Sequence, residues 1–229
     1  MADDSYGDDG FEDYDDDFEE DSEAGTPTKP AAAAAPSPAK QRPHTAIAFA
    51  DVTLGRVLAQ GGMGAVYEAR HGGQREAVKM LNSAQISDEL IESYRNECQA
   101  MMQCAHERVI ELYGASLLPP HLFMVMELCG TSLHELLHTT MQRFDNPRRL
   151  GIAADVAEGL AYCHKQGVIH RDIKGMNVLV GDDQRAKLID FGLTATRVTA
   201  AGTPAYMAPE LLAERPFSKS VDTYALAIT

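Results

Sequence analysis

Between Val52 and Met80 the apolar residues come in short runs separated by glycines, VTLGRVL, AVYEAR and REAVKML. That spacing predicts antiparallel strands joined by tight turns. The period then changes. Ser87 followed by Asp88 and Glu89 predicts a helix start with acids in its first turn, and Leu90, Tyr94, Cys98 and Met101 recur at helical spacing. A second strand pair is predicted in ELYGASLL and HLFMVMEL. Asn146 with Pro147 opens another helix, its stripe is Ile152, Val156, Leu160 and Cys163, and Gly167 closes it. Next comes VIHRDIKGMNVLV, residues 168–180, and then a hairpin of NVLV, the turn residues GDDQ and RAKLID. The fold class is therefore α+β, sheet-rich in its first half and mainly helical in its second, with globular patterning from about Ile47.

Composition changes the picture at the N-terminus. The formal charge of the 229 residues is -14, but the first 23 residues hold 13 Asp and Glu and no Lys or Arg. The other 206 carry 21 acidic against 20 basic residues and are close to neutral. Residues 1–23 repel themselves and hold almost no aliphatic side chains, so disorder is expected there. Two readings of this tail stay open: a solubilising segment, or a partner-binding peptide in which Tyr6, Phe11, Tyr14 and Phe18 dock on a basic groove. Residues 24–44 are rich in Pro and Ala and read as a semi-extended linker, with Thr26 and Ser37 each before a proline. No basic stripe points to nucleic acid. No apolar run is long enough to insert in a membrane and no leader pattern is visible, so a cytoplasmic or nuclear location is expected. Cys98, Cys104, Cys129 and Cys163 lack metal-site spacing and read as reduced thiols, mostly in the core.

The polar run inside VIHRDIKGMNVLV needs a reason. A hairpin turning near Asp183 would set Asn177 roughly opposite Asp190, which brings two hard oxygen ligands together. Such a pair suits a magnesium ion carried by a nucleotide, because magnesium fills most of its octahedron with water and phosphate. Asp172, on the loop entering the hairpin, is placed to orient an attacking hydroxyl, and Lys174 to neutralise a transferred phosphate. In AQGGMGAVYEA, Gly61, Gly62 and Gly64 sit in a turn whose backbone can close over phosphates, although glycine hairpins are ordinary and this signal is weak by itself. Glu97 falls on or beside the apolar stripe of its helix. An acid aimed at a core needs a cation, and Lys79 in EAVKM is the candidate; a surface position at the stripe's margin is the other reading.

Taken together these strings resemble the eukaryotic protein kinases across roughly residues 52–228: GGMGAVY as glycine-rich loop, AVK with Lys79, the helical Glu97, HRDIKGMN, DFG at 190–192, APE at 208–210 and VDTYALAI around Asp222. The resemblance implies a two-lobed fold, with an antiparallel N-lobe carrying one helix over 45–128 and a mainly helical C-lobe over 129–229. It implies Mg-ATP in the cleft, bound by Ala59, Gly61, Gly62, Gly64, Val66, Ala77, Lys79, Glu97, Met126, Glu127, Cys129 and Leu179. Asp172 and Lys174 would be catalytic, Asn177 and Asp190 would hold Mg2+, and the acceptor would be a protein substrate. Lys174 and GTPAYMAPE resemble Ser/Thr kinases, and CAHERVIELYG with VMELCGTSLHELL the tyrosine-kinase-like group. Thr199 is the expected activating phosphosite, with Arg171 as its cation, while the Thr203 hydroxyl is expected to hold Asp172 and Lys174.

Two departures stand out. Ala59 replaces the first glycine of the phosphate loop, and the C-lobe is expected to be incomplete, leaving Glu210 without the arginine that pairs with it in the family. Two rival readings remain: a non-catalytic scaffold or inactive fragment that binds through its tail, and a small-molecule kinase.

Overall fold

The computed structural model describes residues 45–61, 64–82, 87–194 and 202–229; the acidic tail, the linker, Gly62 and Thr199 lie outside them. Six strands form one sheet in the order β1-β5-β6-β4-β3-β2. They are Thr45–Ala46 (β1), Val52–Gly61 (β2), Gly64–His71 (β3), Gln74–Leu81 (β4), Leu112–Leu118 (β5) and His121–Met126 (β6). Between β3 and β4 the loop is two glycines, Gly72 and Gly73, at φ 58° and 81°. Two positive φ values are what the common two-residue hairpin turn demands. The predicted strands are all present. One addition departs from the purely antiparallel expectation: β1 runs parallel to β5.

Alternation along the strands gives each face its own core. Phe123 and Val125 of β6 and Val78 of β4 lie on one face with Ile47, Val52 and Ala69. Leu122 and Met124 lie on the other, in a larger core with Tyr94, Cys98 and Met101 of helix α1, Asp88–Gln103. That helix starts where the sequence predicts: the Ser87 Oγ accepts a hydrogen bond from Leu90 N at 3.2 Å.

The same large core continues through helix α2, Asn146–Lys165, whose predicted stripe Ile152, Val156, Leu160 and Cys163 is buried. Its cap is Asp145, one residue before the expected opening, and Gly167 at φ 81° ends it. A second sheet, β7-β8-β9, joins Thr131–Ser132 (β7), Val178–Val180 (β8) and Ala186–Leu188 (β9). Short helix α3, Pro209–Leu212, and helix α4, Ser220–Ile228, follow. Asp155 of α2 ties that helix to β9. Its carboxylate accepts from Arg185 Nη2 at 2.6 Å and Ala186 N at 2.9 Å, and Arg108 Nε lies 3.1 Å away.

The hairpin register needs a correction. Val178 pairs with Leu188, so Asn177 faces Ile189, whose N–H donates to the Asn177 carbonyl at 3.0 Å. Asp190 leaves the ladder one residue later, at φ 67°. All four cysteines are free; Cys98, Cys104 and Cys163 are buried and Cys129 half-buried. No helix among the described residues is long and apolar enough to cross a membrane.

Candidate functional site

Register across the first sheet decides which side chains share a face. Ala59 pairs with Val66, Val66 with Lys79 and Lys79 with Met124, forming one row over four strands. Two residues along, Ala77 pairs with Met126. Directly paired residues point to the same side of a sheet. Ala59, Val66, Ala77, Lys79 and Met126 therefore line the face that α1 covers.

Lys79 Nζ donates to Glu97 Oε1 at 2.6 Å and to Asp190 Oδ1 at 3.2 Å. Glu97 is 5% exposed, so the surface reading of this acid is excluded. Burial alone would push the Lys79 ammonium below its ordinary range, but the Glu97 and Asp190 carboxylates outweigh it and hold the group above that range. Burial would likewise raise the Asp190 carboxyl; the charge of Lys79 reverses this and holds it below the usual range. Gly64 is needed where it stands, since a Cβ there would lie 2.0 Å from the Met80 carbonyl oxygen. Gly61 has open space around it.

The second half of the site is built on the 168–180 segment. Asp172 accepts hydrogen bonds from Lys174 Nζ at 2.6 Å, Asn177 Nδ2 at 2.9 Å and Thr203 Oγ1 at 2.9 Å. Lys174 also donates to Thr203 Oγ1 at 2.8 Å, so the expected link between these three residues is present. Asn177 Nδ2 donates in addition to the Asp172 carbonyl at 2.8 Å. Both contacts engage the amide nitrogen, so among the described residues the amide oxygen stays available to a hard cation. Asp190 offers Oδ2 in the same way, since Lys79 and Gly192 N use Oδ1. Among the described residues no group of three or more His, Cys, Asp or Glu is arranged around a metal. One carboxylate and one amide oxygen fit magnesium that keeps nucleotide and water ligands.

Arg171 and Asp190 both sit at positive φ, 70° and 67°, which non-glycine residues adopt at a cost of about 1–3 kcal/mol each. What offsets it for Arg171 was not legible in the sequence. Asp222 of α4, fully buried, accepts from the main-chain N–H of His170 at 2.8 Å and of Arg171 at 2.7 Å, and His164 Nε2 lies 2.7 Å from the same carboxylate. Burial pushes this carboxyl up, but His164, His170 and the two amides hold it below its ordinary range. Gly202, at φ 131°, lets the chain pass within 3.0 Å of the Arg171 carbonyl, measured to where a Cβ would be. The Arg171 guanidinium donates to the Leu193 carbonyl at 3.3 Å and lies 4.7 Å from the Phe217 ring centre.

At the chain's crossing between the sheets, Met126 and Leu179 pack on the large core. The Glu127 carboxylate is turned away to Lys187 Nζ, 2.6 and 2.7 Å from its two oxygens, which leaves only its main chain to meet a ligand. Glu210 has Ser220 Oγ at 3.5 Å.

Comparison with known families matches residues 52–229 to the protein kinase domain. The chain belongs to the protein kinase family. It is similar to a probable serine/threonine-protein kinase of Dictyostelium discoideum, 32% identical over 190 residues, which are 80% of this chain and 21% of that protein. It is similar to the Arabidopsis thaliana serine/threonine-protein kinases CTR1, 33% identical over 194 residues (80% and 24%), and STY46, 30% over 182 (76% and 32%). The matched kinase domain thus spans between a fifth and a third of these relatives' own lengths. The family's strings are the ones brought together in space: AVK and the helical Glu97 at one ion pair, HRDIKGMN and GTPAY at one hydrogen-bonded cluster.

Proposed function

We propose that this kinase domain transfers the γ-phosphate of Mg-ATP to serine or threonine hydroxyls of proteins, with residues 45–128 as the small lobe and 129–229 as the large one. The observation that carries this is the Asp172 carboxylate, held by Lys174, Asn177 and Thr203 at 2.6–2.9 Å. Asp172 orients the acceptor hydroxyl and takes its proton as the oxygen bonds the γ-phosphorus and the bond to ADP breaks. Lys174, already beside Asp172, neutralises charge on the phosphoryl group in flight. Lys79, held by Glu97, is placed for the α- and β-phosphates, and Ala59, Val66, Ala77, Met126, Cys129 and Leu179 for the rest of the nucleotide. When bound, magnesium offsets phosphate charge, and Asn177 and Asp190 are the residues that would hold it.

Lys79, Glu97 and Asp190 form one bonded group, and Asp172, Lys174, Asn177 and Thr203 a second; the presence of both favours catalysis over the scaffold reading. The relatives' names, each a serine/threonine-protein kinase, support the acceptor class. The test is Asp172→Asn, assayed by radiolabel transfer to a generic basic protein beside equilibrium ATP binding. Transfer should fall by at least about 100-fold with ATP affinity nearly unchanged. Undiminished turnover would remove Asp172 from the reaction.

A further inference from the structure

Tyr94 stands one helical turn before Glu97 on α1, and its side chain is 3% exposed. Its Oη donates a 2.6 Å hydrogen bond to the main-chain carbonyl of Lys79. Glu97 grips the same residue by its other end, at Nζ. Helix α1 therefore holds a single residue of β4 at two points. The ring packs in the large core with Cys98 and Met101, where phenylalanine would fill nearly the same volume. Packing alone gives no reason for a hydroxyl, and a buried hydroxyl is costly unless it is bonded. Burial and the nearby Glu97 carboxylate push the phenol well above its ordinary range, so it keeps its proton and remains a donor.

We propose that Tyr94 is a positioning residue whose hydroxyl pins β4 to α1 at Lys79, fixing the height of the lysine so that Glu97 and Asp190 both reach its ammonium. The proposal rests on the phosphotransfer reading given above. Both attachments come from one rigid helix. When the tyrosine bond is made, the Glu97 carboxylate is already within reach of Nζ, and when either bond is lost the other is held less often. The two contacts should therefore be energetically coupled, as groups sharing one partner are.

A double-mutant cycle on the full chain tests this, using Tyr94→Phe, Glu97→Gln and the double variant, with Lys79→Met as a second background. Tyr94→Phe should lower kcat/KM for ATP about fivefold, the weight of one hydrogen bond, with a fall in melting temperature of no more than about 2–4 °C. In either background that already lacks the ion pair, the same substitution should change kcat/KM by less than about twofold. Equal losses with and without the ion pair would make Tyr94 a packing residue and overturn the proposal, as would no loss in the parent. A parent that transfers no phosphate would count against the proposed function instead. The clamp is then decided by hydrogen exchange of the α1 amides, which Tyr94→Phe should accelerate about fivefold only where Lys79 and Glu97 are both present; equal acceleration in all backgrounds would overturn it.

Discussion

Asp155→Ala should be among the most destabilising single changes away from the Lys79 and Asp172 clusters, and its cost can be worked from the contacts it removes. Asp155 is 4% exposed, and its carboxylate meets Arg185, Arg108 and the buried N–H of Ala186. Arg185 has a side chain 47% exposed and can return to water. Arg108 has a side chain only 8% exposed, but keeps Glu107 and Glu158 at 3.1 and 3.3 Å. The Ala186 N–H has no such recourse, and an orphaned buried donor costs about 1–3 kcal/mol. Breaking a buried pair from one side costs about 3–5 kcal/mol, and the partners left to Arg108 favour the lower end. We expect about 3 kcal/mol, which for a domain of this size lowers the melting temperature by about 6–12 °C. Arg185→Ala, which leaves no buried charge alone, should cost about 1 kcal/mol or less. Calorimetry with urea titration of both variants measures the difference. A loss under about 1 kcal/mol for Asp155→Ala, or equal losses for the two, would refute the claim that the buried end of the pair carries the energy.

Gly130→Ala would place a Cβ 2.1 Å from the Val180 carbonyl oxygen, and since the obstacle is backbone the change should cost about 1–3 kcal/mol, read as a lowered urea midpoint. Gly151→Ala on α2, with nothing within 4 Å of its Cβ, should stabilise by up to about 1 kcal/mol in the same assay. The carboxyls of Asp155 and Asp222 are both held below their unfolded range, so their contribution is complete above about pH 4 and drains away as pH falls through the lower folded values. Acid unfolding followed by circular dichroism should therefore begin below about pH 4, and Asp222→Asn should flatten the dependence on pH there while lowering stability at neutral pH. An unchanged acid slope in that variant would contradict it.

Local signals were the legible part. Alternation from Val52 to Met80, the Ser87 cap and the stripe ending at Met101 placed both sides of the Lys79–Glu97 contact, because a buried acid announces its need for a cation. The Asp172 cluster is legible from spacing together with resemblance. Less legible was whatever depends on one-residue register or on distant partners. Spacing about the turn sets Asn177 roughly opposite Asp190, whereas the ladder ends at Leu188 and the positive φ of Asp190 turns it out of the strand. Strand β1 is two residues long, too short for any periodicity to show. Asp155 looks in the sequence like an ordinary helix acid, and Asp222 is marked only by the resemblance of VDTYALAI; the fold alone shows that each is buried against donors many residues away.

The partnership of Asp222 with the main chain of His170 and Arg171 spans 52 and 51 residues. During synthesis at about 5–20 residues per second, the HRD segment leaves the ribosome about 3–10 s before the carboxylate that fixes it. Through that interval the two hydrogen bonds that Asp222 accepts from the left-handed turn at Arg171 cannot form. The anchor that α4 gives the 168–180 segment thus comes after the strands and both long helices have been made.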